Sequence, residues 1–171
     1  QLTNIHHQKL EEDRLHHEAS MDLLTQIYNK ITTEHLVSLE LQEGRNHALI
    51  VVDLDKFKYA NDTFGHLFGD SVIKAVAATL RATFRATDIV GRTGGDEFVV
   101  LAKDISLSDG LETLKAKCRR LSVELAHVSL GQDYVISASI GISLFPRDGK
   151  TYAELFAKAD AALYQIKNTG R

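Results

Sequence analysis

The sequence predicts an α+β domain: a βαββαβ core, an antiparallel sheet with helices packed on one face, preceded by an N-terminal helix. Three observations carry this. The run Ala48-Leu-Ile-Val-Val-Asp-Leu54 has the length and apolar character of a buried strand bounded by polar residues. Two short runs, Ile89 to Arg92 and Glu97 to Leu101, flank Gly94-Gly95, which is a hairpin signal. Around these strands, apolar residues recur at helical spacing.

Taken in order, residues 1–20 are polar and rich in His and Glu, with Leu2, Ile5, Leu10 and Leu15 as a sparse apolar stripe. The spacing predicts a helix and follows a heptad only loosely. His6, His7, His16 and His17 lack companion ligands at zinc-site spacing, so they are expected on a solvated face. Residues 33–43 read as a helix stopped by Gly44. After the first strand, Val72, Ile73, Val76, Leu80 and Phe84 mark a helix over 70–84. Leu111, Leu114, Cys118, Leu121 and Leu125 mark another. Residues 134–145 read as a strand, with serines alternating against Ile136, Ile140, Ile142 and Leu144. Thr151-Tyr-Ala-Glu154 is a capping box opening a last helix, whose stripe is Leu155, Ala159, Ala162, Leu163 and Ile166. The organisation expected is a helix over 1–20 that connects to a domain over 21–171.

The totals bound the function. A chain of 171 residues can bury a core without disulfides or a structural metal. A net charge of −3 offers no general basic field for nucleic acid. The lone Cys118 has no intrachain partner and no activating motif, which fits a structural residue in a reducing compartment. No apolar run is long enough to span a bilayer. The chain starts at Gln1 and its one methionine is Met21, so it is expected to be a piece of a longer protein. The expected location is the cytoplasm, including the cytosolic part of a membrane-bound sensor.

Two acidic clusters carry the chemistry. Asp53 and Asp55 stand at the end of the first strand, and their period-two spacing puts them on one face. Asp96 and Glu97 sit at the hairpin turn, and in this topology the hairpin strand lies beside the first strand. Converging carboxylates favour a hard cation such as Mg²⁺, together with phosphate oxygens. The segment from Phe57 to Asp70 then reads as a loop whose amides and Lys58 can cradle phosphate. An asparagine and an aspartate, from Asn61, Asp62 and Asp70, can read a guanine edge. Gly65 and Gly69 suit left-handed turn positions, and Asp70 suits an N-cap.

The motif series resembles the GGDEF family of diguanylate cyclases. Arg92-Thr-Gly94-Gly95-Asp96-Glu97-Phe98 holds the signature. With it come the opening motif Asp22-Leu-Leu-Thr25-Gln-Ile-Tyr-Asn29-Lys30, then Asp53-Leu-Asp55-Lys-Phe57-Lys58, Asn61-Asp62, Gly65-His66, Gly69-Asp70, Ser139-Ile140-Gly141-Ile142, and Ala159-Asp160 through Lys167 to Gly170-Arg171. The resemblance runs over residues 22–171. It implies a palm-like sheet that condenses two GTP molecules into cyclic di-GMP and releases pyrophosphate. It implies Mg²⁺ (Mn²⁺ as alternative) held by Asp53, Asp96 and the Leu54 carbonyl, with Glu97 assisting either the metal or the deprotonation of the ribose 3′-hydroxyl. Phe57 and Lys58 would give amides to phosphate, Gly94 and Gly95 would lie against the substrate, Lys167 and Arg171 would supply positive charge, and Asn61 and Asp70 would read guanine.

Further partners follow from the same resemblance. A twofold-symmetric product requires two half-sites facing each other, hence a homodimer. An upstream sensor is expected to control it, through the leading helix. Arg85-Ala-Thr-Asp88 matches the family's inhibitory RxxD motif and implies product binding, with inhibition on the order of micromolar. Gln26 and Lys30 replace the family's usual glycine and arginine. The alternatives are a silent domain that binds GTP or cyclic di-GMP, a cyclase using ATP, which the acceptor Asp70 disfavours, and a cyclase or polymerase palm of another kind.

Overall fold

A computed structural model describes residues 2–170, with side chains described for 3–163. The elements are α1 (Leu2–Ser20), α2 (Lys30–Leu41), β1 (His47–Leu54), α3 (Phe57–Phe64), α4 (His66–Thr83), β2 (Ile89–Arg92), β3 (Glu97–Ala102), α5 (Gly110–Ala126), β4 (Ala138–Phe145) and α6 (Tyr152–Gly170). Four antiparallel strands form one sheet in the order β2-β3-β1-β4. The α+β architecture is as expected, with β1 central.

Helices cover both faces of the sheet, where the sequence predicted one. Every residue of β1 except Asp53 is buried, so a strand this apolar on both sides needs two covers. Ala48, Ile50, Val52 and Leu54 pack with α4 and α5, while Leu49 and Val51 pack with α2 and α6. Cys118 belongs to the first core, and burial pushes its thiol up to about 11, which agrees with a structural role.

Boundaries moved for local reasons. Helix α2 starts three residues earlier than predicted because the Asn29 side chain caps it, accepting from Thr32 N–H at 3.0 Å. The stretch expected to be a loop after β1 is the short helix α3, and α4 begins at His66 rather than 70. Gly65 separates the two helices at φ +91°. Asp70 therefore lies in the second turn of α4 and is no N-cap. Gly69 is helical, not left-handed; a Cβ there would fall 1.8 Å from Asn61 Oδ1 and displace that side chain. β4 starts at 138 rather than 134. α6 lies directly on β4, because Ser139, Gly141 and Ser143 are small; a Cβ on Gly141 would sit 1.9 Å from the Ala159 carbonyl oxygen. The predicted capping box is present in part: Glu154 N–H donates to Thr151 Oγ1 at 3.2 Å, and the Glu154 carboxylate accepts from Lys150 N–H.

In α1, Ile5, Leu10 and Leu15 are exposed, as are the four histidines. Among the described residues, no helix is long and apolar enough to cross a membrane.

Candidate active site

The site grows from register. β1 and β3 run antiparallel with Asp53 opposite Glu97, and β4 places Ser139 opposite Asp53 on the other side. Leu54 N–H donates to the Asp96 carbonyl at 3.0 Å, which closes this end of the sheet. Asp53, Asp96 and Glu97 are thus brought to one edge, as the two acidic clusters predicted. Glu97 accepts from Thr93 Oγ1 at 2.8 Å. Burial raises its carboxyl above the ordinary value against that hydrogen bond, and the charges of Asp53, Asp160 and Asp96 raise it further. Mutual repulsion of this kind is what a divalent cation relieves, so the donor set fits a hard ion. Among the described residues, no three His, Cys, Asp or Glu side chains are gathered for a metal.

The signature turn is held from behind. The Arg92 guanidinium donates to the Gly94 carbonyl at 3.2 Å and to the Gly95 carbonyl at 2.8 Å, and it pairs with Asp22 at 3.3 Å. Burial would raise the Asp22 carboxyl, yet hydrogen bonds from the Thr25 hydroxyl and amide, together with Arg92, hold it below the usual range. Gln26, at the position where the resemblance expects glycine, sits in this tethered turn at φ +60°.

Beside the carboxylates, Lys56 takes a left-handed conformation (φ 54°) and opens α3 without a side-chain cap. Phe57 and Lys58 therefore occupy the first turn, whose amides have no intrahelical acceptor. The predicted cradle is a helix N-terminus instead of a loop. Asn61 on α3 packs against Gly69 on α4, next to the exposed Asp70, so the two proposed guanine readers come from facing helices. The Lys167 side chain and Arg171 lie outside the described residues.

Asp55 departs from its expected place. It falls one residue past β1, and its carboxylate accepts from Ser137 Oγ at 2.6 Å and Ser139 Oγ at 2.7 Å. From sequence, Ser137 reads as strand alternation and Ser139 as the opening of the Ser139–Ile142 motif; neither points to Asp55.

Arg85 and Asp88 lie at the opposite end of β3. Asp88 Oδ2 accepts from Arg85 N–H and its Oδ1 from Lys103 N–H, both at 3.0 Å, and its side chain is 2% exposed. The Arg85 guanidinium, 56% exposed, pairs with Asp88 at 3.5 Å and donates to the Lys103 carbonyl. A groove of about 320 Å³ lined by Phe84, Arg85, Asp109, Thr113 and Lys117 opens here.

The family description "Diguanylate cyclase, GGDEF domain" matches residues 19–171. The chain belongs to the GGDEF domain family. Its fold matches that of solved GGDEF domains. The bifunctional diguanylate cyclase/cyclic di-GMP phosphodiesterase MucR of Pseudomonas aeruginosa is 38% identical over 90% of this chain and 23% of its own length. The cyclic di-GMP phosphodiesterase NbdA of the same organism is 37% identical over 84% of this chain and 18% of its own. This GGDEF chain thus spans about a fifth of the length of these relatives. The GGDEF domain of DgcB from Caulobacter crescentus, solved in complex with c-di-GMP, superposes with a TM-score of 0.79 at 27% identity, covering 90% of each chain.

Proposed function

We propose that this domain is a diguanylate cyclase half-site, joining two GTP molecules into cyclic di-GMP and two pyrophosphates when two copies face each other. The observation that carries the reading is the Asp53–Glu97 register, which assembles carboxylates beside an uncapped helix N-terminus.

Asp53, Asp96 and the Leu54 carbonyl would hold Mg²⁺ or Mn²⁺. The ion would supply charge neutralisation for the α-phosphate and the departing pyrophosphate. The first-turn amides of Phe57 and Lys58 bind phosphate, with Gly94 and Gly95 allowing close approach, and Lys167 and Arg171 add positive charge. Asn61 donates to the guanine O6 or N7, and Asp70 accepts from N1–H and N2–H₂, which selects guanine over adenine. Glu97 takes the proton as the 3′-oxygen of one GTP attacks the α-phosphorus of the other; the phosphodiester forms as the bond to pyrophosphate breaks. The step repeats with roles exchanged, so symmetry demands a second domain. Arg85 binds product and restrains turnover, while Asp88 holds the turn that presents it. The helix over 1–20 connects the domain, over 21–171, to an upstream sensor.

The test is to incubate the domain with GTP and Mg²⁺ at high protein concentration and identify the product by mass. Cyclic di-GMP from the wild type and none from Asp96→Ala is the expected result; no product even after forced dimerisation sinks the enzyme reading. A second reading, a domain that binds these nucleotides without turnover, draws on NbdA, a relative named for phosphodiesterase activity alone. Under it, GTP binds and no product appears.

A further inference from the structure

We infer that Asp55 is a positioning residue: fixed by Ser137 and Ser139, it sets the N-terminus of α3 against the triphosphate and does not itself ligate metal. The inference rests on the cyclase reading for the identity of the ligand. Its geometry is independent of that reading.

One short segment, residues 134–139, grips Asp55 four times. Ser137 Oγ donates to Oδ2 at 2.6 Å and Ser139 Oγ to Oδ1 at 2.7 Å. Asp55 N–H donates to the Ser137 carbonyl at 2.8 Å, and Tyr134 Oη donates to the Asp55 carbonyl at 3.3 Å. Main chain and side chain are both fixed, in a residue just past the end of β1. The next residue, Lys56, is left-handed and opens α3 with no side-chain cap. A non-glycine residue holds that conformation only where its surroundings over-determine it. Lys56 has a gripped residue before it and a helix after it. The direction of the Phe57 and Lys58 amides is therefore decided at Asp55.

The same contacts explain why two aspartates at a spacing of two have different duties. Asp53 lies within β1 opposite Glu97, where the other carboxylates converge. Both Asp55 oxygens accept from hydroxyls donated by the β4 side. Ser139, the cross-strand partner of Asp53, is 2% exposed and donates its hydroxyl proton to Asp55. The carboxylate is thereby oriented along the lead-in to β4.

The test measures equilibrium binding of a non-hydrolysable GTP analogue, and of guanosine, with Mn²⁺ counted by electron paramagnetic resonance. The variants are Ser137→Ala, Ser137→Ala with Ser139→Ala, Ser137→Thr with Ser139→Thr, and Asp55→Asn. The alanine pair is expected to lose affinity for the analogue about tenfold, as for one lost phosphate hydrogen bond. Guanosine affinity and the number of Mn²⁺ bound per domain stay unchanged, and the threonine pair restores binding. The single Ser137→Ala, at a half-buried position, is expected to show a smaller loss in the same direction and serves if the pair does not fold. Wild-type affinity for the analogue in both alanine variants overturns the inference. So does loss of Mn²⁺ in Asp55→Asn while the alanine pair binds normally, which would make Asp55 a ligand. A wild type that binds the analogue and forms no cyclic di-GMP defeats the cyclase reading and leaves this test intact.

Discussion

Arg92 and Asp22 meet as an ion pair across seventy residues of sequence, with side chains only 18% and 21% exposed. The same guanidinium donates to the carbonyls of Gly94 and Gly95. One side chain thus ties the signature turn to the residues that follow α1. Asn29 adds a second tie, its amide donating to the Ala19 carbonyl at 2.7 Å.

Removing this fork should loosen fold and turn together. Arg92→Met is expected to lower unfolding free energy by about 1.5–3 kcal/mol, the range for hydrogen bonds to charged groups. Arg92→Lys should recover little of it, because an ammonium cannot bridge a carboxylate and two carbonyls in one plane. Urea titration of the three proteins checks both statements.

Gln26 holds a left-handed backbone at φ +60°, a position where the resemblance expects glycine. Its amide recovers part of the cost by donating to the Leu23 carbonyl at 3.1 Å. Gln26→Gly should still stabilise, raising Tm by about 2–4 °C for a net gain near ~1 kcal/mol in a domain of this size. A fall in Tm on calorimetry would contradict this.

Gly69→Ala tests the guanine readers without touching them. The new methyl would stand 1.8 Å from Asn61 Oδ1, so Asn61 must move. The expected result is weaker binding of guanine nucleotides by about tenfold, the worth of one good base contact. Binding of inorganic triphosphate should stay near wild type.

Arg85 and Asp88 should separate by phenotype. Arg85→Ala, at an exposed side chain, should relieve product inhibition with little change in stability. Asp88→Ala leaves two part-buried N–H groups without their acceptor and should cost about 1–3 kcal/mol. Inhibition unchanged in Arg85→Ala would remove the regulatory reading.

His47 should give the domain an acid-sensitive edge. Its ring is fully buried against Phe145, Nδ1 accepts from Asp104 N–H at 3.1 Å, and Nε2 has no hydrogen-bond partner among the described residues. Burial lowers its pKa, against Asp104 and Glu40 and with Arg45 and Lys103. The unfolded chain therefore binds this proton more readily. Stability is whole above the unfolded value of 6.5 and falls as pH drops below it toward the folded value. His47→Phe should lose less stability than wild type between about pH 7.5 and about pH 5.5 in urea titrations, whatever its absolute stability.

Much of this was legible in the sequence for identifiable reasons. The apolar run from Ala48 to Leu54 made the central strand plain, and it also contained the reason for two covered faces. Gly94-Gly95 placed the hairpin, and the hairpin placed Asp96 and Glu97 beside Asp53. Helix α3 was hidden because Asn61, Asp62 and Gly65 look like turn residues; only Ala60 in it is buried. Packing of Phe64 on Phe68, with ring centroids 4.9 Å apart, is a tertiary fact. The grip on Asp55 was equally invisible, since Ser137 and Ser139 arrive 82 and 84 residues later. The Arg92–Asp22 tie is of the same kind: the two residues lie in separate motifs 70 residues apart, and nothing local joins them.

The pairing of Asp53 with Glu97 has a consequence for inheritance. Side chains on a strand alternate faces, so an insertion of one residue within β1 would turn Asp53 toward the α4–α5 side while Glu97 stayed where it is. The acids would then be divided by the thickness of the sheet. A lineage can therefore lengthen the loops around this domain freely, but within β1 and β3 it can only substitute, never count differently.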